Sequence, residues 1–450
     1  MLWFETALLP RGWVPGVRIT VDGGLIARVE TGVTPAAGDE RHAIAIPGLC
    51  NVHSHAFQRG MAGLAETRGP AGDDFWTWRE VMYRFLDRLT PEDVQAIAAL
   101  AYVEMLESGF TRVGEFHYLH HDPAGDAYAD IAEMGARIAA AAAETGIGLT
   151  LMPVFYAHGN FGATPPTRGQ RRFLSDVESF ALLVETSRRA IAPLPDANLG
   201  VAPHSLRAVT PEELSIVIST VSGGPVHIHA AEQKKEVEDC FAWSGARPVE
   251  WLLDHAPIDR AWCVVHATHM TASETSRLAR SGAVAGLCPI TEASLGDGVF
   301  PAELYLRERG RFGTGTDSNV RIAAGEELRM LEYAQRLTRR ARNLWPGTSG
   351  DSTGRALFEG ALSGGAQALG QILAGLQEGA SADLISFNVN DPGLAGREND
   401  AILDSWIFAG AFVDCVWRRG QKLVTAGRHS GREAVVARYR SVLERLLLSQ

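Results

Sequence analysis

Residues 47–55 read PGLCNVHSH: a Pro-Gly break, a short apolar run, then His53-Ser54-His55. On a strand, residues i and i+2 point to the same face, so both imidazoles can reach one ion. Taken alone, H-x-H also fits two polar residues on a loop. The sequence on either side decides between these readings. From about 47 to 375, apolar β-rich runs alternate with helical stretches: LTLMPVFY at 149–156, NLGVAPHS at 198–205, PVHIHAAE at 225–232, WCVVHATH at 262–269, AVAGLCP at 283–289 and RFGTGTDS at 311–318. Such alternation predicts parallel strands joined by crossover helices. Four of these runs end in groups able to bind metal or move protons: His53 and His55; His227, His229 and Glu232; His266, with His269 over the edge on the following loop; and Asp317 after a small-residue strand. His227 also fits a hydrogen-bonded core histidine. In a parallel barrel the functional groups sit at the C-terminal strand ends, and each of these motifs occupies such a place. Three histidines and an aspartate suit a zinc shell with room for water.

The ends of the chain have a different texture. VRITVDGGLIARVE at 17–30 is two alternating runs about Asp22-Gly23-Gly24, a hairpin pattern. After a helical stretch at 356–370, ADLISFNVN and DCVWRRGQKLVTAGR are again short strands with tight turns. The expected organisation is an α/β chain. A (β/α)8 TIM-type barrel spans 48–376, a small β-sandwich-like domain is built from 1–47 and 377–430, and a C-terminal helix covers 431–450. Of the glycine- and proline-rich loops near 157–172 and 343–354, one or both are expected near the site entrance.

The 450 residues carry a net charge of -11, so the basic footprint of a nucleic-acid binder is absent. Five scattered cysteines show no C-x-x-C pair and suit a reducing cytoplasm. The N-terminal MLWFETALLPRGW lacks a basic start and a long apolar core, and reads as mature structure. Even ARIAAAAAETGIGLTLMPVFY at 136–156 is broken by Glu144 and glycines before the ~20 residues of a membrane span. Neither nucleic acid nor membrane is an expected partner.

The ordered set HSH, HAAE, HATH and TDS on the first, fifth, sixth and eighth strands resembles the amidohydrolase superfamily, over essentially the whole chain. GLQEGASADLISFN at 375–388 resembles the segment by which that superfamily re-enters its small β-domain, and a glutamate three residues after the strand-five histidine is similar to its deaminase branch. Six blocks, PGLCNVHSHAFQRGMAGLAE, FWTWREVMYR, EFHYLHHD, HSLRAVTP, HIHAAEQKKEV and VVHATH, resemble the formimidoylglutamate deiminase family. The resemblance implies metal ligation by His53, His55, His229 and Asp317, catalysis by Glu232 and His266 with Asp317, and substrate contacts from Gln58, Arg79, Tyr118, His204 and Arg207. It further implies one Zn2+ per chain, with iron as an alternative, a small-molecule dicarboxylate substrate and a homodimer. The activity implied is hydrolytic deamination of a linear amidine in histidine breakdown. Where the family would show a histidine and a small residue, this chain has Asn319 and Arg321, which places a cation near the site rim.

The chemistry is coherent. Water needs activation to attack a planar formimidoyl carbon, ammonia needs a proton to leave, and two substrate carboxylates need cations. Arg207 follows an apolar strand directly. Arg79 lies in a helical stretch where a surface ion pair is the plain alternative, and Phe75, Trp76 and Trp78 read as packing. NLGVAPHSLR offers no lysine to bridge two metals, which favours a mononuclear site. Two other readings remain: deamination of a cyclic amidine, and a zinc-binding barrel without catalysis.

Overall fold

The computed structural model describes residues 1–70, 72–221, 223–345 and 350–448. Four strands open the chain: β1 (Leu2–Leu9), β2 (Gly12–Asp22), β3 (Leu25–Glu30) and β4 (Glu40–Pro47). The hairpin between β2 and β3 turns at Gly23 and Gly24, whose φ values of 57° and 87° suit glycine.

The barrel follows directly. Its strands are β5 (Leu49–Ser54), β6 (Phe110–His117), β7 (Gly148–Phe155), the broken fourth strand β8 (Asn198–Leu199) and β9 (Ala202–Pro203), β10 (Val226–Ala230), β11 (Trp262–His266), β12 (Val284–Leu287) and β13 (Arg311–Thr314). All pairs between neighbours are parallel. Val201 and Ser205 bridge to Val226 and His229, joining the two runs, and Ser54 bridges to Asp317 to close the ring. That closure is tight: His53 O accepts from Thr316 N at 3.0 Å and Asp317 N at 2.9 Å, while His55 N donates to Asp317 O at 2.9 Å. The eightfold α/β barrel expected from the alternation is therefore present, and its first and last strands interlock at the residues that matter chemically.

Four strands end the chain: β14 (Leu384–Phe387), β15 (Val413–Arg418), β16 (Gln421–Thr425) and β17 (Arg428–His429). They join the first four in one eight-stranded sheet, ordered β17-β16-β15-β14-β4-β1-β2-β3. The strands of both chain ends thus share one sheet. It serves two cores by alternation: Ile44, Ile46, Ile385 and Phe387 pack into the main core, while Ala45, Leu384 and Trp417 join Phe4, Val17 and Ile19 in a second one. The C-terminal helix Arg432–Leu448 lies on helix Pro91–Ser108, where Arg445 pairs with Asp93.

Several strand ends hold non-glycine residues at positive φ: Ala231 at 54°, His266 at 65°, Ala267 at 50°, Asp317 at 44° and Asn319 at 55°. Such strain gathers where side chains must be aimed against backbone preference. The opposite requirement, close approach without a side chain, appears at Gly364 in helix Thr353–Ala368. A Cβ there would lie 1.8 Å from Phe312 O on β13. Gly364→Ala is expected to destabilise the protein by about 1–3 kcal/mol or more, since backbone must move. Gly135→Ala in helix Glu133–Thr145 meets only ordinary 3.7 Å contacts and should gain up to ~1 kcal/mol of helix propensity. Denaturant midpoints of the two variants should move in opposite directions.

Candidate active site

His53 and His55 leave the end of β5 on one face, as the i, i+2 spacing requires, and His229 arrives from β10. The three Nε2 atoms converge: His53 lies 3.2 Å from His55 and 3.0 Å from His229. Asp317 Oδ1 stands 3.3 Å from His55 Nε2 and 3.6 Å from His53 Nε2. His55 Nδ1 donates to Phe116 O at 2.8 Å and His229 Nδ1 to His204 O at 3.1 Å, so in the neutral rings both Nε2 atoms present bare lone pairs. Burial, before any other cause, holds His55 down at about 3 and His53 and His229 well below the usual histidine value. Neutral acceptors and a carboxylate pressed together in a dry place repel unless a cation lies among them. The donor set, three imidazoles and one carboxylate, fits zinc.

The eighth strand end is held by Asn319, which is fully buried. Its amide donates to Ser54 Oγ, His55 O and Asp317 O at 3.0–3.1 Å, and it accepts from Thr316 Oγ1 at 2.6 Å. Asn319 is a clamp behind the ligands. Arg321, expected at the rim, instead turns outward to Glu326 at 2.7 Å with 61% of its side chain exposed, and lines a separate cleft with Arg59 and Trp406. The reason is local: Glu326 in the first turn of the next helix offers a nearby carboxylate.

Beside the cluster, His266 Nε2 lies 3.9 Å from Glu232 Oε1 and 3.8 Å from Asp317 Oδ2. Burial pushes Glu232 up to about 7 against the pull of His266 and Arg207, and lifts Asp317 to about 6. Burial opposes protonation of His266, but Glu232, the hydrogen bond to Glu292 and Asp317 together raise it to about 10. Glu236 accepts from the backbone N–H groups of Ala231 and Glu232 at 3.1 and 3.0 Å, fixing the turn that presents Glu232.

One pocket unites these groups with the expected contacts Gln58, Arg79, Tyr118, His204 and Arg207. Gln58 Nε2 donates to Tyr118 OH at 2.7 Å, and His204 Nδ1 meets Ser205 Oγ at 3.0 Å. Arg79 makes no surface ion pair among the described residues. Its guanidinium stacks 4.5 Å from the Trp76 ring, with a buried, unpartnered Nε. Arg207 is buried 5.9 Å from the same ring, its Nε likewise unpartnered, and its nearest carboxylate oxygen is Glu232 Oε2 at 4.0 Å. Phe75 and Trp78, read as packing, line the pocket, because helix Phe75–Leu86 presents Phe75, Trp78, Arg79, Met82 and Tyr83 to it.

His227 is a core histidine, its Nε2 bonded to Ala368 O at 2.8 Å, and His269 sits on the loop against Asp297 O. None of residues 157–172 lines the pocket, which that loop meets only through its flanks Tyr156 and Phe173. Of the loop at 343–354, residues 346–349 lie outside the described residues, and Trp345 packs on Phe312 instead. The supports Glu236 and Glu292 carry only a weak signal in the sequence: an acid four residues beyond a strand-end group, within reach of the backbone N–H groups there.

Residues 44–423 match the amidohydrolase family model. The chain belongs to the amidohydrolase family. Within it the resemblance is to formimidoylglutamate deiminases: residues 2–43 match the N-terminal domain of formimidoylglutamate deiminase HutF. The chain is 48% identical to formimidoylglutamate deiminase of Pseudomonas aeruginosa over 99% of each chain. Among solved structures, an amidohydrolase from Brucella melitensis superposes with a TM-score of 0.97 at 55% identity, covering 99% of both chains. An adenosine deaminase from Xanthomonas campestris with bound zinc gives 0.82 at 20% identity, covering 99% and 98%, a likeness of fold alone.

His229 lies in the converging donor set and Glu232 lies beside it. His229→Gln should lose both metal and activity, since one of the converging lone pairs is gone. Glu232→Gln should keep its metal, because Glu232 is not part of the converging set. Elemental analysis of the two purified variants checks this, and a metal-free Glu232→Gln protein would make Glu232 a ligand.

Proposed function

We propose that this protein hydrolyses N-formimidoyl-L-glutamate to N-formyl-L-glutamate and ammonia in histidine degradation, using one zinc ion per chain. The observation that carries the reading is the pair of guanidiniums, Arg79 and Arg207, which face the pocket of the metal cluster without a hydrogen-bonded carboxylate among the described residues. Guanidinium forks match carboxylates, and the substrate has two. The name of the Pseudomonas aeruginosa relative supports the same substrate.

A zinc ion held by His53, His55, His229 and Asp317 would lower the pKa of water to ~7. The chain's own groups carry the rest. Arg79 and Arg207 anchor the carboxylates, with Gln58, Tyr118 and His204 along the wall, so that the formimidoyl carbon comes to the cluster. Asp317 takes a proton from the attacking water. As the water oxygen bonds to carbon, the electron pair of the C=N bond moves to nitrogen, and His266 Nε2 donates a hydrogen bond to the new oxygen. Such donors contribute about 3 kcal/mol. Glu232, held near 7, protonates the departing nitrogen; as the C–N bond breaks and ammonia leaves with its electron pair, the oxygen forms the C=O of the formyl product and its hydroxyl proton passes back to the Glu232 carboxylate.

A cyclic amidine would leave both arginines without an anion. A barrel without catalysis would have no use for Glu232 and His266 buried beside the metal.

Ammonia release from N-formimidoyl-L-glutamate, set beside guanine and adenosine, tests the assignment; turnover confined to the purines would sink it. Arg207→Met should lower kcat/KM by about 2–5 kcal/mol in a folded protein, because a substrate charge loses its partner in a partly dry pocket. An unchanged kcat/KM would reduce Arg207 to a structural role. In Glu232→Gln, kcat should fall ~10²–10⁴-fold with zinc retained. Near wild-type turnover would mean another residue moves the proton.

A further inference from the structure

The seventh barrel strand, β12, delivers no group to the pocket chemistry. The short helix after it, Pro289–Leu295, nonetheless touches both of its working neighbours. Glu292, 5% exposed, accepts at one oxygen from two donors: His266 Nδ1 at 3.3 Å and Cys288 N at 2.9 Å. The next residue back, Thr291, meets Thr316 O at 3.2 Å and Ser318 Oγ at 2.9 Å, flanking Asp317. Ile290 N is fastened to Glu327 on helix Ala324–Arg339 at 3.0 Å. This helix is a bracket between the sixth and eighth strands.

His266 needs such a bracket. It ends β11 at a φ of 65°, a conformation that L residues adopt only under constraint, and nothing in its own strand sets the rotation of its ring. His266 acts by donating from Nε2, so the N–H at Nδ1 needs an acceptor of its own. With Nδ1–H directed at Glu292, Nε2–H faces Glu232 and Asp317. Without that acceptor the ring can flip or swing away.

We infer that Glu292 is a positioning residue, which orients His266 and presents its Nε2 to the reacting centre. The inference rests on the catalytic role proposed for His266. Both bonds of Glu292 end on one oxygen, so an amide oxygen can replace it: what matters is an acceptor at that place.

The test compares Glu292→Ala, Glu292→Gln, Glu292→Met and His266→Gln with the wild type, each assayed for zinc content and for ammonia release. Glu292→Ala is expected to keep zinc and lose ~10²-fold in kcat with KM within about threefold, in line with the loss of partners that orient working imidazoles. Glu292→Gln should recover to within about tenfold of wild type. The hydrogen-bonded His266 Nδ1–H resonance should persist in Glu292→Gln and vanish in Glu292→Ala. Glu292→Met fills the same space without an acceptor and carries the test if the alanine variant does not fold. The inference is overturned by an alanine variant within threefold of wild-type kcat, by glutamine as damaging as alanine, by loss of zinc, or by unfolding of both Glu292→Ala and Glu292→Met. Full activity in His266→Gln removes the catalytic reading of His266 and this role with it. An inactive His266→Gln beside an active Glu292→Ala removes this role alone.

Discussion

Four electron-rich groups meet in a space that excludes water, an arrangement that favours a cation among them. His55 and His229 spend their protons on backbone carbonyls, which leaves Nε2 of each with nothing to donate. Asp317 closes on them to 3.3 Å. Everything near the top of the barrel serves this otherwise repulsive arrangement. The backbone exchange between His53, His55 and Asp317 fixes the ligand spacing through hydrogen bonds, so the ring closure of the fold and the assembly of the centre are one event.

The pocket divides its labour by strand. The first, fifth and eighth strands supply the converging imidazoles and Asp317, the fifth and sixth supply Glu232 and His266, and the second and fourth supply Tyr118, His204 and Arg207. Burial does opposite things to the acids and the bases here. It keeps the three converging histidines neutral, and it lifts Glu232 to about 7, where a carboxyl group can both give and take a proton. His266 escapes that logic because carboxylates surround it.

Much of this is legible in the sequence because strand periodicity is a local property. The i, i+2 rule places His53 beside His55, and the alternation of apolar runs with helices places the motifs at strand ends. Residues whose partners lie far along the chain are not legible in that way. Asn319 reads as a family departure, yet it fastens strand eight to Ser54 and His55, 265 and 264 positions away. Arg321 reads as a rim cation because its distance from Asp317 is short in sequence, while the choice of Glu326 as partner depends on how the next helix starts. Phe75 and Trp78 read as packing, since nothing in their spacing tells that their helix lines a pocket rather than a core. The end segments read as strands of one small β-domain, but their order within its sheet is decided by pairing across the whole chain.

That pairing has a temporal consequence. In the eight-stranded sheet, β4 is hydrogen-bonded to β14, its partner on the far side of the entire barrel. During synthesis the first four strands emerge early, and the outer edge of β4 has no strand to meet until Leu384–Phe387 is made about 340 residues later, a delay of roughly 20–70 s at 5–20 residues per second. An open strand edge invites pairing with any other chain that offers one. The barrel must therefore be translated while this edge is bare, which makes the earliest part of the protein the last to become safe from aggregation.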